Sequence, residues 1–173
     1  SNPWTITATD GTYTASKTIL IATNTEYEAE INYRLYIIKD GLFQNSFSFL
    51  HSLRSGHSPT ITENYNNTGY LMVSMGSSYA TGGVTEHFDI TDYSNLYAQA
   101  YKSNGTSYVG IWPGYDYSSQ NAIESAAVAK TAVTTTSSLL TANISGITGQ
   151  YYVGGCILAD NNYQLFISDM WLE

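Results

Sequence analysis

The chain has 173 residues, only 12% of them charged, sixteen tyrosines against five phenylalanines, and a formal net charge of −8. Its six Lys and Arg residues are scattered, which excludes electrostatic binding to nucleic acid or anionic lipid, since both need clustered cations. Cys156 is the sole cysteine, so neither an internal disulfide nor a cysteine metal cluster can form; it reads as a small buried core residue.

No run approaches the roughly 18 apolar residues of a membrane span, so no membrane insertion is expected. Thr, Tyr, Val and Ile favour strands, and frequent Gly, Asn and Asp supply turns. This is the composition of an all-β protein with a polar, weakly charged surface, long enough to bury a real core.

Residues 4 to 21 read as a β-hairpin. With Asp10-Gly11 as its turn, Trp4, Ile6, Ala8, Tyr13, Ala15, Lys17, Ile19 and Ile21 fall on one face, and Thr and Ser fill the other. A two-stranded hairpin is marginal alone. The expected domains are therefore 1–24, the end of a preceding immunoglobulin-like domain, and 25–173. A strand over Tyr27–Ile38 turns near Asp40-Gly41 into Leu42–Leu50. Residues 51–60 have no period, carry Gly56 and Pro59, and read as a loop. Ile61–Glu63 and Tyr70–Met75 read as short strands, and Ser77–Gly83 as a small-residue loop.

The stretch from Glu86 to Trp112 organises the rest. Two alternating runs flank Asn104-Gly105, the pair a two-residue type I′ hairpin turn prefers. Counted outward from that turn, Tyr101 sits opposite Tyr108 and Tyr97 opposite Trp112. Leu96, Ala98, Ala100, Val109 and Ile111 then share an aliphatic face, while Tyr97, Gln99, Tyr101, Tyr108 and Trp112 share an aromatic one. Gly110 leaves room above Gln99 in this pairing. Residues 113–117 form an aromatic loop that places Tyr115 at the rim.

Residues 119–130 support two readings, a short helix over Gln120–Ala129 or a strand running to about Thr135; the alternation of Ala126, Val128, Lys130 and Ala132 favours the strand. Ser138–Ile144, Tyr151–Leu158 and Gln164–Leu172 are the last strands, with Asp160-Asn161-Asn162 turning the final pair. Asp89–Tyr97 and Asn143–Tyr151 share a pattern in which Asp or Asn, Ile, and a hydroxyl residue lead towards a Tyr. Each reads as an arch where the chain leaves one sheet for the opposite one. About nine strands with two arches imply an all-β jelly-roll β-sandwich of two antiparallel sheets with an appended N-terminal hairpin.

Aromatic rings bind sugars by stacking on their C–H faces, and amides or carboxylates fix the hydroxyls. Tyr97, Gln99, Tyr101, Tyr108, Trp112 and Tyr115 are the candidate ligand-binding residues on that ground. The competing reading is that these cross-strand pairs only stabilise the sheet, by roughly 0.2–1 kcal/mol each. His51, Arg54 and His57 cluster in the irregular loop, either as a contact for a polar or anionic ligand or as solvated surface. The histidines have no metal spacing, and Asp89 and Asp92 belong to an arch rather than to a site. Glycosidase chemistry needs two carboxylates at a defined separation; no such pairing and no G-x-S-x-G elbow is visible. No catalytic residue, metal or cofactor is expected.

At Tyr36-Ile37-Ile38-Lys39-Asp40-Gly41-Leu42-Phe43-Gln44-Asn45, Phe88-Asp89-Ile90-Thr91-Asp92-Tyr93-Ser94-Asn95-Leu96 and Ile144-Ser145-Gly146-Ile147-Thr148-Gly149-Gln150-Tyr151-Tyr152-Val153-Gly154, the chain resembles the β-sandwich domains at the distal ends of tail, baseplate or fibre proteins of phages and prophages of Gram-positive and gut bacteria. A closing strand ending like Trp171-Leu172-Glu173 is common there. The resemblance implies a jelly roll that recognises host surface saccharide, commonly as a homotrimer, on a virion or at a cell surface. It assigns no binding residue. The alternatives are a carbohydrate-binding module of a secreted gut glycosidase, which uses the same physics, and a structural spacer or oligomerisation domain without a ligand. In the spacer reading the aromatic face is buried by a partner chain or by the hairpin.

Overall fold

Two antiparallel β-sheets packed face to face make a jelly-roll β-sandwich in the computed structural model. The structure describes residues 2–9, 14–21, 34–75, 81–158 and 163–173. The chain divides into two compact units, Ser1–Asn32 and Tyr33–Glu173. The first contains β1 (Asn2–Thr9) and β2 (Thr14–Ile21), paired antiparallel with Trp4 opposite Ile19 and Thr9 opposite Thr14. A two-residue turn would set Thr9 opposite Thr12, so the register differs by two residues from the expected one. Asp10-Gly11 itself lies outside the described residues.

In the second unit the front sheet holds β3 (Leu35–Lys39), β4 (Leu42–Phe43), β6 (Pro59–Thr62), β7 (Leu71–Met75), β10 (Asn95–Lys102), β13 (Ser138–Asn143) and β15 (Gln164–Leu172). The back sheet holds β5 (His51–Ser52), β8 (Thr81–Val84), β9 (Phe88–Asp89), β11 (Thr106–Trp112), β12 (Ala129–Ala132) and β14 (Gln150–Leu158). The front order is β13-β10-β15-β3-β4, with β7 on the same edge of β15 as β3 and β6 beyond it. The back order is β12-β11-β14-β8-β5. Alternation turns Leu96, Ala98, Ala100, Leu165, Ile167 and Met170 inward from the front sheet against Val109, Ile111, Val153 and Ile157 from the back sheet.

Both expected arches are present, and they are built alike. Phe88–Asp89 belongs to the back sheet and Asn95 to the front; Asn143 belongs to the front and Gln150 to the back. Asp89 Oδ1 accepts from the Thr91 amide at 2.9 Å, and Asn143 Oδ1 accepts from the Ser145 amide at 2.9 Å. These are Asx turns, the local bond a short polar side chain offers two residues on. The bonds from Thr91, side chain first, hold the Asp89 carboxyl below its ordinary range. The arches also bond to each other, through Gly149 N to Thr91 Oγ1 at 3.0 Å and Ile90 N to Gly149 O at 3.0 Å.

The central hairpin is a correction. β10 pairs with β13 and β15, whereas β11 pairs with β12 and β14, so the chain crosses from front to back at Asn104-Gly105 instead of folding back on itself. Gly105 has φ +73°, but Asn104 is not among the positive-φ residues, and a type I′ turn needs both. The aliphatic faces do bury against each other, but across the core between sheets. Alternation looks the same in either arrangement.

Four smaller expectations also change. Residues 120–126 form helix α1 (Gln120–Ala126), begun by Ser119, whose hydroxyl accepts from the Ala122 amide at 3.1 Å; the strand starts only at Ala129. The expected 51–60 loop contributes β5 and the start of β6 at its ends. Gly82 and Gly83, taken with the Ser77–Gly83 loop, lie in β8; residues 76–80 are outside the described residues. A Cβ at Gly82 would sit 2.6 Å from the Cys156 Cβ, so small residues here mark close strand packing and not a loop. Leu42–Leu50 keeps only a two-residue strand. The Asp160-Asn161-Asn162 turn and most of Tyr27–Ile38 lie outside the described residues.

A second core lies on the outer side of the back sheet, where α1 and Leu53 cover Val84, Trp112, Cys156 and Leu158. Cys156 is fully buried there, and burial pushes its thiol up to about 12. Folded protein at neutral pH is accordingly expected to label with a maleimide only as fast as it opens, and urea to release full labelling. Prompt stoichiometric labelling of the native protein would contradict that burial.

Candidate functional site

The outer side of the front sheet is the aromatic one. Alternation that turns Ala98 and Ala100 inward turns Tyr97, Gln99 and Tyr101 outward on β10. The register sets Trp171 of β15 between Tyr97 and Tyr36 of β3. The Tyr97 and Trp171 rings stack with centroids 5.1 Å apart and planes 15° from parallel, and Tyr36 lies 5.7 Å from Trp171 on its other flank. The Arg34 guanidinium approaches the Trp171 ring at 5.5 Å. Arg34 Nε and Trp171 Nε1 both donate to Glu173 Oε2, at 2.8 and 3.2 Å, which fixes the orientation of the indole. Hydrogen bonds to Tyr36 and Glu173 raise the Arg34 pKa.

A second aromatic row crosses the same face four residues along β10, about 13 Å away at the usual strand rise. Tyr101 stacks on Phe166 at 4.6 Å and 10°, and Tyr70 meets Tyr101 edge-on at 5.1 Å; Phe166 itself is buried beneath Tyr101 and Tyr65, so Tyr101 and Tyr70 present this row. Between the rows runs a polar strip. Gln99 stands opposite Asp169, and Gln99 Nε2 donates to Ser137 Oγ at 2.8 Å. Ser168 donates to Asp169 Oδ2 at 2.8 Å. The register of β15 against β10 shifts between Gln99 and Ala100, a β-bulge at Ser168. Leu139, opposite Gln99 on β13, is 58% exposed.

Of the residues picked from the sequence, the structure brings together Tyr97, Gln99 and Tyr101. Tyr108 and Trp112 lie across the sandwich on the outer side of the back sheet, because β11 belongs to that sheet. Trp112 is 0% exposed, and its indole N–H donates to the Ile123 carbonyl at 2.9 Å. Tyr108 donates to Glu124 Oε1 at 2.7 Å, a bond that, with burial, pushes its hydroxyl up to about 12. Gly110 does not open space over Gln99: a Cβ there would meet the Ala129 carbonyl at 2.4 Å. Tyr115 sits in the 113–117 loop, next to the back sheet.

Sequence reasoning missed Tyr36, Phe166, Asp169 and Trp171. The bulge hides the pattern: Phe166 and Trp171 both face outward although one number is even and the other odd, so strict alternation assigns them to opposite faces.

No protein-family model and no curated protein matches the chain. Family 29 carbohydrate-binding modules are among the solved structures that share its fold. A variant of one, CBM29-2, complexed with cellulohexaose, aligns with a TM-score of 0.58 at 7% identity, covering 81% of this chain and 89% of that one. A second variant of that module aligns at 0.56 and 8%, covering 82% and 91%. A third, complexed with mannohexaose, aligns at 0.50 and 9%, covering 81% and 90%. The chain is thus a β-sandwich of the architecture those modules use.

Proposed function

We propose that the chain is a non-catalytic saccharide-recognition module that binds its ligand on the outer side of the front sheet. The observation that carries this is the row Tyr97–Trp171–Tyr36 together with Tyr101 further along β10, which is seated on the buried Phe166, with Gln99 and Asp169 between them. Rings offer C–H stacking surfaces, and an amide and a carboxylate offer donors and acceptors to sugar hydroxyls. The likeness in fold to modules complexed with cellulohexaose and mannohexaose supports the reading. It favours a carbohydrate-binding module of a secreted protein over a phage-tail domain, although both settings place the chain outside the cell and use the same face.

The test is a glycan array probed with wild type and a Tyr97→Ala, Trp171→Ala double variant. Selective signals from the wild type that the double variant loses support the proposal. Equal binding by the two proteins would sink it. No glycan signal together with a stable trimer in light scattering would instead support a spacer whose aromatic face is covered by partner chains.

A further inference from the structure

We propose a second saccharide site, separate from the front face, on the outer side of the back sheet, formed by His51, Glu86, His87, Tyr115 and Tyr152. Alternation places His51 opposite Val84 and Tyr152 opposite Trp112, so both point away from the main core. The His51 imidazole stacks on the Tyr115 ring, with centroids 4.1 Å apart and planes 17° from parallel. Tyr152 meets both rings nearly edge-on, His51 at 5.6 Å and Tyr115 at 5.2 Å, and His87 lies 5.5 Å from Tyr152. Glu86 closes the group: its Oε1 is 2.8 Å from His51 Nε2, and its Oε2 is 3.7 Å from His87 Nδ1.

This cluster is held in place, and its Tyr115, Glu86 and His87 side is open to solvent. The loop carrying Tyr115 is strapped to the chain after β5 by three backbone bonds, Asp116 N to Ser52 O, Tyr117 N to Leu53 O and Ser55 N to Tyr117 O, at 2.8–3.0 Å. Asp116 turns the strap with φ +66°, a left-handed conformation that Asp tolerates better than most residues. The neighbouring second core, with Leu53, Trp112 and Ile123 fully buried, closes without Tyr115, which stays 43% exposed. Half of the His87 side chain and 57% of the Glu86 side chain are exposed as well. Tyr152 packs against the second core and the His51 side chain is only 21% exposed, so these two rings form the seat, whereas Tyr115 and His87 are oriented in advance and left accessible, the condition that lowers the ordering cost of binding.

The donor set selects the ligand class. An anion would meet the Glu86 carboxylate in a chain of net charge −8. A cation would compete with two imidazoles for that carboxylate. A neutral polyhydroxylated ring fits all five side chains: its C–H face meets Tyr115 or Tyr152, paired hydroxyls meet Glu86, and the imidazoles donate or accept. The sandwich lies between this cluster and the front strip, with sheets about 10 Å apart, so the two sites act independently. This inference does not rest on the front-face reading.

A glycan array of neutral and acidic saccharides, probed with wild type, Tyr115→Ala, Glu86→Gln and Trp171→Ala, tests it. Tyr115→Ala is expected to weaken one set of neutral glycans by about tenfold or more, the usual loss for one stacking ring. Glu86→Gln, a shape-preserving change at an exposed side chain, is expected to weaken the same set, and Trp171→Ala to leave it intact. Wild-type melting temperatures for both back-face variants exclude a folding artefact. Array signals unchanged in both back-face variants, a preference for acidic glycans, or no neutral glycan bound independently of Trp171 would each overturn the site. If only the back-face variants lose binding, the front-face reading fails and this one stands.

Discussion

Trp171→Ala is expected to reduce saccharide affinity about ten- to a hundredfold while the protein stays folded. A stacking ring contributes roughly 1–3 kcal/mol to binding a flat, partly apolar ligand, and each 1.4 kcal/mol is about a factor of ten in Kd. Trp171 is the widest ring on the front face and lies between Tyr97 and Tyr36, so its loss also frees both neighbours to reorient. The cost to stability is smaller. The side chain is only half-buried, and an aromatic cross-strand contact is worth about 1 kcal/mol. Trp171→Phe separates the two roles of the indole: it keeps a ring beside Tyr97 and removes the bond to Glu173 Oε2 that sets its tilt. An intermediate loss of affinity is expected, read by titration calorimetry against any oligosaccharide that the array identifies. Affinity unchanged in both variants would show that the ligand does not touch this row.

Strand content, the arches and the identity of the core residues were legible in the sequence, because each is a local property. Alternation in β10 and β11 marks Leu96, Ala98, Ala100, Val109 and Ile111 as inward, and all five are fully buried. The echo between Asp89 and Asn143 marks two Asx turns, and both carry the chain from one sheet to the other. What alternation leaves open is which strands are neighbours. Asn104-Gly105 satisfies the sequence rule for a tight hairpin, yet in this chain Gly105 alone takes a positive φ and the strands part.

That one pairing error displaced half of the proposed site. Tyr97, Gln99 and Tyr101 were placed on the correct strand, but with partners from the wrong sheet. Their true neighbours come from β13 and β15, with β3 beyond β15; all are distant in the chain, and no local signal connects them. Ser168 adds a second obstacle, since one bulged residue reverses the apparent facing of everything beyond it. Hydroxyl content was informative in a different way. A chain so rich in Tyr keeps many rings where the hydroxyl reaches solvent or a polar partner, as Tyr70 does with Ser137 at 3.2 Å.

Trp112→Ala is expected to do the reverse of Trp171→Ala, costing stability and sparing the front face. Trp112 is the largest fully buried side chain among the described residues, and it joins the back sheet to α1 through packing on Ile123 and the bond from its indole N–H to the Ile123 carbonyl. Truncating a buried Trp costs about 3–5 kcal/mol in transfer and cavity terms. In a domain of this size each kcal/mol lowers Tm by about 2–4 °C, so a fall of roughly 10 °C or more is expected by calorimetry. Trp112→Phe fills part of the space but leaves the Ile123 carbonyl without its donor, an added penalty of about 1–3 kcal/mol for a buried group. The main core does not include Trp112, and β10, β15 and β3 pair without it. Below its lowered Tm, the Ala variant should therefore retain saccharide binding that depends on Trp171. Loss of that binding in a protein still folded would mean that Trp112 communicates with the front sheet through the sandwich, and that the two faces are not separable units.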